Sequence, residues 1–183
     1  VNGKRMNLLI KDNFFDNINE LRNIALATSF LCSEDVKVDV GWRGYRTEEL
    51  ETFNNPILDE AGKKILNAVC SFFDVDGYSI STHFHLSHTG TKKTLEDFEN
   101  KKYHFDQCKY AGVVYLTPDA PTDMGTSVLD GENNQIINTK NKYNRLLSYP
   151  ANLIHAPTDL FGSDMKTGRM TLTFFLNKDW TWD

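Results

Sequence analysis

No stretch of this 183-residue chain holds the eighteen or so consecutive apolar residues that a bilayer-spanning helix needs. Cysteine is scarce. Cys32, Cys70 and Cys108 stand far apart, form no C-x-x-C pair and are odd in number, which argues against a disulfide framework. They read as buried, inert thiols in a reducing compartment, so a cytoplasmic setting is expected. Positive charge is not in excess either. The formal net charge of -5 argues against nucleic acid as the main partner, which would favour a basic surface. The first residues, Val1-Asn2-Gly3-Lys4-Arg5, carry no secretory pattern. Internal repeats and low-complexity tracts are also lacking.

What is present fits one domain over residues 1–183, long enough to bury roughly two-thirds of the surface its unfolded chain exposes. Residues 1–77 read as mainly helical support. Met6 to Ile10 resembles an edge strand, and Val36 to Val40 a short strand. Asp16 is placed to cap a helix from about Asn17 to Ser29, with Ile18, Leu21, Ile24 and Ala25 on one face. Asn55-Pro56 starts a second helix, whose Ile57, Leu58, Ala61, Ile65, Leu66 and Val69 recur at helical spacing to about Phe73. Between the helices, residues 41–47 (GWRGYRT) read as a loop. Its Trp42, Arg43, Tyr45 and Arg46 are suited either to a rim for an anionic or aromatic substrate or to covering the core. Glu48-Glu49-Leu50-Glu51 reads as a solvated helical turn.

From Tyr78 onward the pattern changes to short β-rich runs. They are Tyr78–His88, Tyr103–Asp106, Tyr110–Thr117, Gly125–Asp130, Gln135–Asn138, Arg145–Tyr149, Ala151–His155 and Arg169–Asn177. Pro, Gly, Asn and Asp separate them, and a sandwich or barrel follows. A polar, charged loop or short helix is expected over Thr89–Lys102, and the Trp180-Thr181-Trp182 tail has no assigned role.

The chemistry concentrates in His104-Phe105-Asp106. On a strand His104 and Asp106 share one face and Phe105 takes the other, so Phe105 should pack behind the site. His155 follows Asp106 by 49 positions, enough for several strands to return. Two imidazoles and one carboxylate with open positions are the facial ligand set of non-haem Fe(II) oxygenases. On the last strand Arg169, Thr171 and Thr173 share one face, and Met170, Leu172, Phe174 and Leu176 the other. If buried, Arg169 needs an anionic partner, and a bound carboxylate would supply it through paired hydrogen bonds. Each residue alone has a plainer reading: a hydrogen-bonded histidine, or an arginine on a solvated face.

The runs YHFD, AGVVYL, MGTSVL, NRLLSYPANLIHAP and GRMTLTFFLN, with Asp12-Asn13-Phe14-Phe15 upstream, resemble the Fe(II)- and 2-oxoglutarate-dependent dioxygenases, in their prolyl-hydroxylase-like branch. The resemblance implies a mainly β (α+β) fold: a double-stranded β-helix (jelly roll, cupin-like) over about 78–177, with N-terminal helices on one sheet. It implies His104, Asp106 and His155 as iron ligands and Arg169 as partner of the far carboxylate of 2-oxoglutarate. Thr171 matches the hydroxyl residue two places on, and Tyr115 a tyrosine that reaches the same carboxylate. Cofactor and co-substrates would be Fe(II), 2-oxoglutarate and O2, and the prime substrate a peptide, amino acid or small metabolite hydroxylated at a C–H bond. Asp106 favours hydroxylation over halogenation. One departure is Met124, where many relatives carry the first glycine of a G-G-T step; Thr126 still matches.

His83, His85 and His88 form a rival cluster. His83 and His85, with Thr126, are expected to line the pocket. A His-rich surface strand is the second reading and a separate cupin-like metal site on His83 and His85 the third, since no Glu follows in Leu86–Lys93 as a cupin pattern requires. The remaining alternative is a jelly-roll binding module without enzymatic activity.

Overall fold

In a computed structural model, residues 7–36, 40–90, 103–130 and 135–178 are described. Met6, the middle of the Val36–Val40 run, residues 91–102 and the Trp180–Trp182 tail fall outside them. Described elements run β1 (Leu9–Lys11), α1 (Ile18–Ala27), β2 (Leu31–Cys32), β3 (Tyr45–Arg46), a short 3-10 turn (Leu50–Phe53) and α2 (Pro56–Phe73). There follow β4 (Ser79–Ser87), β5 (Tyr110–Tyr115), β6 (Thr126–Asp130), β7 (Gln135–Asn138), β8 (Leu146–Pro150), β9 (His155–Pro157) and β10 (Arg169–Asn177). The protein is thus mainly β, with two α-helices among the described residues.

The described strands form two antiparallel sheets. One has seven strands in the order β1-β8-β5-β10-β4-β3-β2, the other three in the order β7-β6-β9. At the centre of the large sheet, β10 pairs with β4 from Arg169↔Ser87 to Asn177↔Ser79 and with β5 from Thr171↔Tyr115 to Leu176↔Tyr110. The period of two along β10 sends Met170, Leu172, Phe174 and Leu176 into the core shared with the helices. Burying one such side chain stabilises the fold by about 1.5–3 kcal/mol.

α2 forms because its ends are specified as well as its stripe. Asn55 Oδ1 accepts from the Ile57 N–H at 3.0 Å, and Pro56 fills the first helical position. Leu58, Ala61, Ile65 and Val69 are buried, and Asp74 in the left-handed region ends the helix. α1 buries Ile18, Leu21 and Ala25. The residue at its N-terminal boundary is Asn17, not Asp16, and the Asn17 side chain donates to Glu20 instead of accepting from the helix. The Asp12–Phe15 turn is fixed by Asn144. Its Oδ1 accepts from the Phe15 N–H and its Nδ2 donates to the Phe15 carbonyl, both at 2.8 Å.

Other sequence expectations are corrected. Tyr45–Arg46 is a strand, not loop, because Gly44 (φ +87°) lets β3 close on β4; a Cβ there would stand 2.6 Å from the Leu86 carbonyl oxygen. Ala151–Leu153 turns, so the strand carrying the second histidine begins only at His155. Tyr103–Asp106 contributes a single β-bridge, His104 to His155. Glu51 is not merely solvated: it accepts from Thr82 Oγ1 at 2.7 Å and ties the 3-10 turn to β4.

Candidate metal centre and its cavity

A second apolar cluster, including Ala111, Val113, Tyr115, Leu147 and Tyr149 from the large sheet and Val128 from the small one, joins the two sheets. Beside it opens a cavity of about 800 Å³, walled by residues of both. His104, Asp106, Thr126, Tyr149, His155 and Arg169 all line it. Residues far apart in the chain therefore meet around one space.

The backbone places the three candidate ligands. His155 opens β9, which is held to β6 through Val128↔His155. His104 and His155 exchange backbone hydrogen bonds at 3.1 and 2.8 Å, so the two imidazoles stand side by side with ring centroids 4.6 Å apart. Asp106 is fixed by its N–H to the Ala151 carbonyl. His155 Nε2 lies 3.2 Å from Asp106 Oδ2, and His104 Nε2 lies 3.6 Å from Asp106 Oδ1. One ligand atom from each of the three residues lies within 4.8 Å of the others, and among the described residues this is the only such group of three or more.

The donor chemistry fits a divalent metal. His155 Nδ1 is 2.8 Å from the Leu153 carbonyl oxygen, which can only accept, so Nδ1 carries the proton. In the neutral ring Nε2 then carries the lone pair that a cation beside Asp106 Oδ2 would take. Ligand bonds of about 2.1 Å meeting at a right angle put donor atoms about 3 Å apart, close to the spacing seen. Burial pushes the Asp106 carboxyl upward, but the His155 contact and the nearby positive groups outweigh it, and the acid sits below its ordinary range. It is held as a carboxylate, the form a metal requires.

Phe105 does not pack behind this group; it is 63% exposed. One bridge does not make a strand with two covered faces, so the side opposite the ligands points to water.

Arg169 is only 3% exposed. Its Nη2 donates to Thr126 Oγ1 at 3.1 Å, and its guanidinium lies over the Tyr115 ring at 5.6 Å. Its Nε has no partner, and no acid pairs with it among the described residues. Burial pushes its pKa down. A buried guanidinium with an orphan N–H is costly unless an anion arrives to meet it. Tyr115, fully buried, completes the hydroxyl cluster, its OH 2.7 Å from Thr126 Oγ1 and 3.4 Å from Thr139 Oγ1. Thr171 is buried as well, with its hydroxyl 2.9 Å from that of Thr173; neither Tyr115 nor Thr171 is among the cavity's wall residues. Gly125 precedes Thr126 because a Cβ there would stand 2.7 Å from the backbone of Lys140 and Asn141.

The rival histidines separate. His85 lines the cavity, whereas His83 does not. His83 is engaged by the Thr47 carbonyl at 3.1 Å and by Ser81 at 3.3 Å. His85 Nδ1 accepts from Arg46 Nε at 3.2 Å, and burial and that arginine push its pKa well down. His88 stacks on Tyr45 with centroids 5.4 Å apart. Sequence reasoning missed two supports: the Leu153 carbonyl that sets the His155 tautomer, and Tyr149, whose ring lies 4.5 Å from that of His155. A backbone carbonyl in a turn leaves no side-chain signal; Tyr149 could have been found from its in-facing place on β8.

No family model and no curated protein sequence matches the chain. Solved structures match its fold. A prolyl-4-hydroxylase from Pseudomonas putida aligns with a TM-score of 0.64 at 13% identity, over 95% of this chain and 94% of that one. SnoN, a non-haem alpha-ketoglutarate-dependent epimerase from nogalamycin biosynthesis, aligns with a TM-score of 0.67 at 10% identity, over 94% and 78%. A prolyl hydroxylase from Trichoplax adhaerens, in complex with a hypoxia-inducible-factor peptide fragment, aligns with a TM-score of 0.57 at 15% identity, over 93% and 83%. At these identities the likeness is one of fold: the chain has the fold of this group of oxygenases.

Proposed function

We propose that the protein is a non-haem Fe(II)- and 2-oxoglutarate-dependent dioxygenase of the prolyl-hydroxylase-like branch, which hydroxylates a C–H bond of a peptide, amino acid or small metabolite. In this reading residues 1–183 are one domain, a double-stranded β-helix over about 78–177 with helical support over about 1–77. One observation carries the proposal. A two-histidine, one-carboxylate group and a buried guanidinium without an acid partner among the described residues line the same cavity. The fold likeness supports it, and one of the matched proteins holds a peptide.

His104, Asp106 and His155 would hold the metal, which when bound supplies the oxidising chemistry that protein side chains lack. The Leu153 carbonyl keeps the His155 Nδ1 proton, so its Nε2 stays available as a donor. Arg169 would receive the far carboxylate of 2-oxoglutarate, with Thr126 and Tyr115 fixing the fork and excluding water. Thr171 would help by seating the wall behind that carboxylate. The three free cysteines favour a reducing compartment such as the cytoplasm. Among the described residues no helix is long and apolar enough to cross a membrane.

The test is succinate formation from 2-oxoglutarate with added Fe(II). Wild type should give it, and His104→Ala and Asp106→Ala, folded by circular dichroism, should not. Turnover retained in both variants would remove the site.

A further inference from the structure

Arg46 is not one of the three candidate ligands and does not contact Arg169 among the described residues, although its charge acts on Asp106. Two other arginines are satisfied by the protein: Arg22 donates to the carbonyls of Leu116 and Lys166, and Arg145 is paired with Asp12. Arg46 lines the cavity and meets no acid at ion-pair distance among the described residues, although the Asp106 carboxylate acts on it from farther off. Its single hydrogen bond there is from Nε to His85 Nδ1, which leaves both terminal nitrogens without an acceptor among the described residues. Trp42 and Phe175 flank the guanidinium, with ring centroids 5.4 and 5.6 Å from its carbon.

The position is set by the sheet. Tyr115, Thr171, His85 and Arg46 are successive register partners across β5, β10, β4 and β3. Arg46 is therefore two strands, about 10 Å, from Thr171. Its head lies over Phe175, whereas Arg169 stands six residues earlier on the same face of β10. The Arg46 guanidinium is flanked by Trp42 and Phe175 and that of Arg169 by Tyr115 and Thr126, so their immediate neighbours differ, while the charge of each reaches His85.

We propose that Arg46 forms a second anion site in this cavity, one that receives a carboxylate of the prime substrate. The proposal rests on the dioxygenase reading. There, Arg169 and the metal take the two ends of 2-oxoglutarate and leave Arg46 for the molecule that is oxidised. The flanking rings fix the plane of the fork, and His85, accepting through Nδ1, keeps Nε engaged and adds no second charge. A half-buried guanidinium in a chain of net charge -5 is a local positive spot that selects anions. Acidic substrates, such as a free amino acid or a peptide ending beside the oxidised residue, are favoured over their amides.

The test follows the arginine Nε–H resonances of the full chain by NMR, loaded with Zn(II) and saturated with 2-oxoglutarate. The Arg46 signal is the one missing from Arg46→Gln, or from Arg46→Lys should the first variant not fold. Acetate is the probe and acetamide the neutral control. A saturable displacement of the Arg46 signal by acetate, and none by acetamide, is expected. No displacement by acetate, or an equal one by acetamide, would overturn the proposal. So would a shift of Arg46 on adding 2-oxoglutarate that acetate no longer changes, since Arg46 would then hold the co-substrate. The Arg169 signal in the same spectra reads the dioxygenase proposal separately. If 2-oxoglutarate moves no arginine signal, that reading fails, while acetate still decides the role of Arg46.

Discussion

The two faces of β10 differ in what completes them. Toward the helices, Met170, Leu172, Phe174 and Leu176 are at most 1% exposed and are packed by neighbours the chain itself provides. Toward the cavity, Arg169 is nearly as buried yet keeps an N–H without an acceptor among the described residues. One face is finished by folding; on the other, Arg169 Nε has no acceptor among the described residues, and in the proposed function a ligand would supply one. Stability and chemistry are thereby separated by a single strand's alternation, and the separation can be tested by substitutions on either side.

The largest effect is expected at the metal group. Asp106→Ala should abolish Mn(II) binding and succinate formation while the melting temperature of the metal-free protein falls little; calorimetric titration checks the first and a thermal melt the second. On the opposite face, Phe174→Ala should destabilise the fold by about 3–5 kcal/mol through lost burial and a cavity, read from denaturant unfolding. A loss below about 1 kcal/mol would mean that the helical face is not the source of stability.

Arg169→Met sharpens the contrast. It should weaken 2-oxoglutarate binding by about 30-fold or more, since a buried charge pair is lost. It should leave the ligand-free protein as stable as wild type or more so, because an unpaired buried cation is removed. A marked drop in stability would place Arg169 among the structural residues.

The smallest effect lies away from both faces. Asp12 is held below the usual carboxylate range, first by the hydrogen bond from Arg145 and then by that from Lys142, against a burial effect that raises it. Its folded pKa is depressed, so its contribution is present above the ordinary carboxylate pKa of about 4 and is lost as pH falls below that toward the folded value. Asp12→Asn should remove that part of the acid dependence, about 1 kcal/mol or less for a half-buried pair that solvent still screens. An unchanged profile in acid would discount the pair.

Much of this division is legible in the sequence. The alternation of β10 separates Arg169 and Thr171 from Leu172 and Phe174 without any structure, and the Asn55-Pro56 start gives α2. The order of H-x-D, His155 and Arg169 names the candidate site. What cannot be read is tertiary. Phe105 follows strand alternation in the sequence but lies on a segment with one bridge, so nothing covers it among the described residues. Tyr45–Arg46 reads as loop because two residues carry no periodicity; pairing with β4 makes them a strand. His83 and His85 share a strand face, yet only His85 reaches the cavity, since His83 is held by the backbone of Thr47. The turn at Ala151–Leu153 that supplies the carbonyl for His155 is likewise a product of the fold, not of any local motif.

The most direct measurement is calorimetric titration of 2-oxoglutarate into the protein with and without Mn(II), for wild type and His155→Ala. If the three ligands and Arg169 form one site, wild type binds one equivalent only when the metal is present, and His155→Ala binds none under either condition. Equal binding with and without metal, or unchanged binding in His155→Ala, would contradict it.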